Sequence, residues 1–300
     1  MCHLLAVFLM LLCGGAAAQP GPPPRPSVPP RPVAPTSPTP EGEGQAELRI
    51  TIEPGPPQPG APAMQAVVHY QDRVACTRAL PAGANLALPL SDGVDVTGDG
   101  VPDAVIELYT GGAHCCYNYL ILGGDNPCIP AATLNAANSG VEIQNIDDDP
   151  AAEFLAADWT LEYWNADYAD SLSFYAILEF KDGALVPDQQ AMQLPAPEPE
   201  DKEKLEAIFA ETWNEPDPPG WHCEPRVPRA WYERAGKLVY GGNGEVALAL
   251  MRATFQGTEA EAKAACEGFF AQLSKSPWWP GIAAMNGWEG ETPETICAER

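Results

Sequence analysis

The chain has 300 residues, with 41 acidic side chains against 16 basic ones and a formal charge of −25. That balance excludes nucleic acid as a partner, because phosphate neutralisation needs clustered Lys and Arg; it suits solubility and divalent cations instead. The acids are interleaved with apolar sequence and eight tryptophans, the texture of a folded acidic protein and not of a disordered tail.

Residues 1–18 carry an apolar stretch that ends in Ala16-Ala17-Ala18, the pattern of a secretory signal cleaved near Ala18, although no Lys or Arg precedes Leu4. The stretch is too short to span a bilayer, so no transmembrane segment is expected and the protein is read as exported, periplasmic or extracellular. Residues 19–40 are half proline, with no apolar periodicity, and read as a disordered linker. Nine cysteines less Cys2 and Cys13 of the signal leave seven: Cys76, Cys115, Cys116, Cys128, Cys223, Cys266 and Cys297. Export, and the lack of Cys-x-x-Cys spacing, make these disulfide candidates with at least one thiol left over.

A β-rich domain is expected over residues 41–195. Its first runs, AELRITIE and MQAVVHY, are strand-length and separated by GPPQPGAP; LALPL follows. Next comes DVTGDGVPD, residues 95–103, then AVIELY and CCYNYLIL, both rich in β-branched and aromatic residues, with GGDN as turn chemistry. A second copy follows: NIDDDPAAEFL superposes on DVTGDGVPDAV at an offset of 50, placing Asn145, Asp147, Asp149 and Glu153 on Asp95, Thr97, Asp99 and Asp103. The two units cover about residues 91–129 and 141–183, and no third is visible, so a closed ring of blades is not expected.

In the first loop, side-chain oxygens of Asp95, Thr97, Asp99 and Asp103 fall at positions one, three, five and nine, with the Val101 carbonyl at seven. Hard cations such as Ca²⁺ take six to eight oxygens on a flexible arc, and Gly98 and Gly100 permit the turn. An EF-hand is excluded, because Ile106 stands where a bidentate Glu belongs and the flanks read as strands. The loop resembles the calcium loop of FG-GAP/VCBS repeats, the blades of integrin-type β-propellers. That resemblance implies propeller-blade-like antiparallel sheets and calcium held by Asp95, Thr97, Asp99, Val101 and Asp103. The second loop departs from the pattern, with Pro150 in place of the glycine and Asn145 at position one, so its set of Asn145, Asp147, Asp149 and Glu153 is the weaker candidate.

The hexapeptide GGAHCC, ending at Cys116, resembles a signature of exported bacterial proteins with acidic repeats, and it implies no activity. Adjacent cysteines on a strand face opposite sides, so Cys115 and Cys116 are expected to seek separate partners, with Cys76 and Cys128 as the candidates. Residues 159–170, WTLEYWNADYAD, interleave Trp159, Tyr163, Trp164 and Tyr168 with acids; such aromatics are more often core than a carbohydrate or protein contact surface. From 196 to 300 the chain reads as mainly helical, with Leu205, Ile208, Phe209 and Thr212 on one face of a helix in which Glu200 pairs with Lys204. Thr258 and Glu261 form a capping box before a helix burying Ala262, Cys266, Phe269 and Leu273. Gly242-x-Gly244-x-x-Ala247 mimics a dinucleotide fingerprint but has no βαβ unit around it, and Trp278 and Trp279 are expected to pack the helices onto the sheet.

No Gly-x-Ser-x-Gly, His-Glu-x-x-His or phosphate loop occurs. The fold class expected is α+β, a β repeat followed by helices. The function expected is an exported, calcium-stabilised binding or envelope-interaction module for a protein or carbohydrate ligand, without evident catalysis. The alternative is a secreted hydrolase using acids near the aromatic cluster.

Overall fold

A computed structural model describes residues 48–55, 64–70, 73–80, 86–111, 116–123, 126, 128–147, 149–223 and 226–298. The expected signal and proline-rich linker lie outside them, as do His114 and Cys115. The class is α+β: among the described residues the strands run from Leu48 to Pro187 and the α-helices follow from Gln189.

Three antiparallel sheets are present among the described residues. The first is β1 (Leu48–Pro54), β2 (Met64–Tyr70) and β3 (Arg73–Ala79) in sequential order. The second is the meander β4 (Leu86–Val94), β5 (Asp103–Tyr109), β6 (Tyr117–Leu122) and β7 (Pro130–Ala137). The third repeats that order with β8 (Glu142–Gln144), β9 (Glu153–Asp158), β10 (Phe174–Lys181) and β11 (Ala184–Pro187). In both four-stranded sheets the acidic loop joins the first strand to the second, so the 50-residue repeat of the sequence is also a repeat of topology. The β10–β11 hairpin closes on Asp182-Gly183, both at positive φ (52° and 82°), as the tight two-residue turn that twisted strands require.

The near-continuous apolar runs of β5 and β6 follow from a sheet covered on both faces. Ala104, Ile106, Leu108, Leu120 and Leu122 point to a core shared with Leu48, Ile50, Ala66 and Val68 of the first sheet. Val105, Tyr119 and Ile121 point the other way, into a larger core that also holds Phe154, Phe174 and the helices. Cys76 of β3 is bonded to Cys128, just ahead of β7, and so ties the first sheet to the second. This corrects the expected pairing: Cys76 and Cys128 hold each other, and neither is left for Cys115 or Cys116. Cys116 is itself disulfide-bonded.

The helices are α1 (Gln189–Met192), α2 (Pro199–Glu211), α3 (Arg229–Tyr240), α4 (Gly244–Thr254), α5 (Glu259–Leu273), α6 (Trp279–Met285) and α7 (Pro293–Ile296). Helix α3 lies so close to β10 that a Cβ on Gly236 would meet the Phe174 ring at 2.0 Å, and a Cβ on Gly244, at the start of α4, would meet the Trp288 ring at 2.1 Å. The glycines of the dinucleotide-like motif are thus a turn between α3 and α4, with Gly242 at φ +71° and Gly244 a packing point. The Thr258–Glu261 capping box forms, and α5 buries Cys266, Phe269 and Leu273 as expected, whereas Ala262, in the first turn, is only half-buried; Cys266 is bonded to Cys297 beyond α7. Two local expectations fail on α2. Ile208 is 38% exposed while Phe209 and Thr212 are buried, and Lys204 bonds Asp201 at 3.0 Å instead of Glu200. The helix meets its neighbours along a narrow edge, and the i, i+3 partner on the same turn is the nearer carboxylate. Trp278 is buried, whereas Trp279 packs on Phe270 and Trp288 within the helical layer. The contact of α6 with the sheet runs through Gly281 against Pro187 of β11.

Two long-range polar ties across the β and helical layers meet on Asp158, at the end of β9 and 4% exposed. Its Oδ1 accepts from the Thr160 amide (2.9 Å) and hydroxyl (2.5 Å), and its Oδ2 accepts from Tyr240 Oη of α3 (2.6 Å) and from Ser276 Oγ after α5. Burial and the facing Asp158 carboxylate push the Tyr240 hydroxyl well above the ordinary tyrosine range, so it stays a donor.

Candidate metal centre

Each acidic loop is folded by its own carboxylates. In the first, Asp95 Oδ1 accepts from Gly98 N (2.6 Å) and Oδ2 from Gly100 N (2.8 Å). Asp99 Oδ1 accepts from Val101 N (2.7 Å), and the fully buried Asp103 accepts at Oδ2 from Val96 N (2.8 Å) and Thr97 N (2.7 Å). Gly98 and Gly100 stand at φ +75° and +82°, conformations that a side chain rarely adopts.

The second loop reproduces these bonds 50 residues on. Ile146 N donates to Glu153 Oε2 (2.6 Å) as Val96 N does to Asp103, and Ala151 N donates to Asp149 Oδ1 (2.8 Å) as Val101 N does to Asp99. Asp147 Oδ1 accepts from Asp149 N at 2.8 Å. Asn145 plays a different part from Asp95: its amide nitrogen donates to the carbonyls of Asp149 (2.5 Å) and Ala151 (3.1 Å), replacing the amide-to-carboxylate bonds that the two glycines allow in the first loop. The loops abut, since Ala152 N donates to Asp95 O at 2.8 Å.

Among the described residues, the group of three carboxylates with an oxygen from each within 4.8 Å of the others is Asp147, Asp149 and Glu153. Two oxygens ligating one Ca²⁺ at about 2.4 Å can be no further apart than about 4.8 Å, so this spacing suits a single shared ion. Asp95, Asp99 and Asp103 are not drawn together in this way. The loop read as the weaker candidate is the better gathered, because Glu153, one methylene longer than Asp103, reaches back to the Asp147 and Asp149 carboxylates. Glu153 is 2% exposed, and burial, followed by the charges of Asp147 and Asp149, raises its carboxyl above the usual range. Thr97 Oγ1 in the first loop is buried and makes no hydrogen bond; Val101 is half-buried.

Sequence reasoning treated the aromatic stretch as one cluster, and the structure divides it. Trp164 is half-buried against the core, edge-on to Trp221 and Tyr232 and packed on Phe269. Trp159, Tyr163 and Tyr168 stay at the surface, with Tyr163 55% exposed. Of the nearby acids, Asp158 is committed to Thr160, Tyr240 and Ser276, and Asp170 accepts from Gly220 N at 2.9 Å. Sequence reasoning missed the Asp158 junction, whose partners lie 82 and 118 residues away, beyond any local signal. Cys223 sits beside Tyr232, which burial and that thiol hold far above the usual tyrosine range.

No family model, curated protein or solved structure matches the chain. No helix among the described residues is long and apolar enough to cross a membrane.

Proposed function

We propose that the chain is an exported, calcium-stabilised β-repeat module that binds a ligand at its surface, with the acidic loops as its ion sites. One observation carries the reading: Asp147, Asp149 and Glu153 bring three carboxylate oxygens within 4.8 Å of one another. Three like charges so placed repel, and a divalent cation of hard character converts that repulsion into attraction. The donors are all oxygen, which suits calcium over zinc or copper. Asp147, Asp149 and Glu153 would hold the ion in the second loop, and Asp95, Thr97, Asp99, Val101 and Asp103 would hold one in the first after a modest closure of its carboxylates. The ion's contribution is structural, fixing the turn between the first two strands of each meander. The Cys76–Cys128 and Cys266–Cys297 disulfides and a sheet covered on both faces give the rigid scaffold that surface recognition favours. Isothermal calorimetry of Ca²⁺ into chelator-treated protein tests the reading: saturable heat in wild type that Asp149→Asn reduces supports it, and no saturable heat up to millimolar calcium counts against it.

A further inference from the structure

The outward face of the third sheet is acidic at one end and apolar at the other. Successive residues of a strand point to opposite sides, and directly paired residues share a side. Phe154, Ala156, Ala176 and Leu178 belong to the main core. Helices close that same side, with Gly236 of α3 against Phe174 and Gly281 of α6 against Pro187, the β11 partner of Leu178. The alternate residues therefore point away: Glu153, Leu155 and Ala157 on β9, and Tyr175, Ile177 and Glu179 on β10.

Register sets these six residues in rows. Tyr175 pairs with Ala157 and Ile177 with Leu155. Phe154 pairs with Leu178, so Glu153 just before the one and Glu179 just after the other stand across from each other in the next outward row. Such rows are about 7 Å apart along the strands, which separates the glutamates from Tyr175 by about 13 Å. Tyr175 is 46% exposed, and Leu155 and Ile177 are half-buried. At the acidic end Asp147 and Asp149 each bring an oxygen within 4.8 Å of one on Glu153, and Asp149 is exposed. Burial raises the Glu179 carboxyl above its usual range; Lys181 offsets this in part, and the charges of Asp188, Asp149 and Asp147 add to it. Lys181 is mostly exposed and lies 3.9 Å from Glu179, too loose a contact to neutralise four carboxylates.

That arrangement selects among occupants. A wholly apolar partner would desolvate the carboxylates without pairing them, and an anionic one would be repelled by them and by the chain's charge of −25. A basic partner gains on both counts, since opposite charge steers the encounter and apolar contact holds it. An extended peptide presents side chains on one side every second residue, at the same spacing of about 7 Å as the rows. We propose that this face docks an extended segment of a partner protein that carries Lys or Arg at one end, against Glu179 and Asp149, and apolar side chains along Leu155, Ile177 and Tyr175. The inference rests on the binding-module reading above and names its partner; it does not require the calcium sites.

The test is fluorescence anisotropy of a labelled peptide titrated with the whole oxidised protein, in chelator at physiological salt. Every second residue of the peptide reads Arg, Arg, Val, Leu, Val, with serine between. A second peptide has Glu in place of Arg, and a third has Ser in place of Arg. Saturable binding of the basic peptide alone is expected. Tyr175→Ser should weaken it at least about fivefold and Glu179→Gln about threefold, with melting temperatures close to that of wild type because both side chains face outward. Val74→Ser alters a residue 59% exposed on β3 of the first sheet, and it should bind as wild type does. Several outcomes overturn the inference: no saturable binding up to millimolar protein, equal binding of the acidic or the serine peptide, or full affinity retained by either Tyr175→Ser or Glu179→Gln. Self-association of the wild type that Tyr175→Ser abolishes also overturns it, since the face is then covered by a second copy. Basic-peptide binding by a protein whose melting ignores calcium sustains the docking face and removes the ion. A calcium-dependent rise in melting temperature without peptide binding overturns the face and leaves the ion sites standing.

Discussion

Replacing Glu153 with Gln should act in opposite directions with and without calcium. In the metal-free protein the buried Glu153 carboxylate faces two others at no more than 4.8 Å. A pair of charges at that distance repels by about 0.9 kcal/mol in bulk water and about 3.5 kcal/mol at an effective dielectric near 20. Asp149 is exposed and Asp147 half-buried, so the two pairs fall between these limits. Against that gain, the charge-assisted bond from Ile146 N becomes a neutral one, a loss of about 1 kcal/mol. A net stabilisation of about 1 kcal/mol is expected for Glu153→Gln in chelator, a rise of about 2–4 °C at this chain length. The sign of the pH dependence follows from linkage. Burial first, and the neighbouring charges second, raise the folded-state pKa of Glu153, so the folded state binds the extra proton. Wild-type stability in chelator should therefore grow as pH falls from the raised pKa toward the ordinary carboxylate range, and the advantage of the Gln variant should shrink with it. In millimolar calcium the order reverses, because the variant has lost a charged ligand. Differential scanning calorimetry in chelator and in calcium, at neutral pH and near pH 5, reads all three comparisons. A variant less stable than wild type by the same margin in chelator and in calcium would refute the reasoning, since it would mean that Glu153 serves only as a turn carboxylate.

Asp158→Ala should cost about 3–5 kcal/mol in urea unfolding, because it strands the Tyr240 and Ser276 hydroxyls and the Thr160 amide in a buried setting; Asp158→Asn, which keeps an acceptor, should cost less. Replacing Cys266 and Cys297 together with Ala opens a 31-residue separation, which loop-closure entropy puts at about 3.7 kcal/mol, readable as a fall in the urea midpoint with a slope that rises as the unfolded chain expands. Burial alone would raise Glu233, but Lys237 at 2.6 Å and Arg229 at 2.7 Å outweigh it and hold the carboxyl below its usual range. Glu233→Gln should therefore cost about 0.5 kcal/mol at neutral pH, with the difference from wild type lost as pH falls through the lowered pKa.

Short-range features were legible in the sequence. The 50-residue offset of the two acidic loops, the capping box at Thr258 and the strand pairs on either side of each loop all rest on residues near one another, and each appears in the structure. Side-chain reach and facing were not legible. That Glu153 would gather Asp147 and Asp149 while Asp103 would accept from the Val96 and Thr97 amides depends on one methylene and on how each loop closes. That Trp164 would pack against the core and Tyr163 turn to the surface depends on a backbone at positive φ, which nothing local signals for a tyrosine. The pairing of Cys76 with Cys128 is set by how the first sheet lies on the second, a relation between segments 52 residues apart.

The central claim is that ions hold the acidic loops, and thermal unfolding of the oxidised protein, first in chelator and then in 2 mM Ca²⁺, tests it most directly. Extracellular calcium modules bind with dissociation constants around 10⁻⁴ to 10⁻³ M, so each occupied site should add about 0.6–1.8 kcal/mol, a rise of several degrees for two sites. The account predicts that rise in wild type, a smaller one in Asp149→Asn and in Asp99→Ala, and none when both are combined. An unchanged wild-type melting temperature in calcium would contradict it.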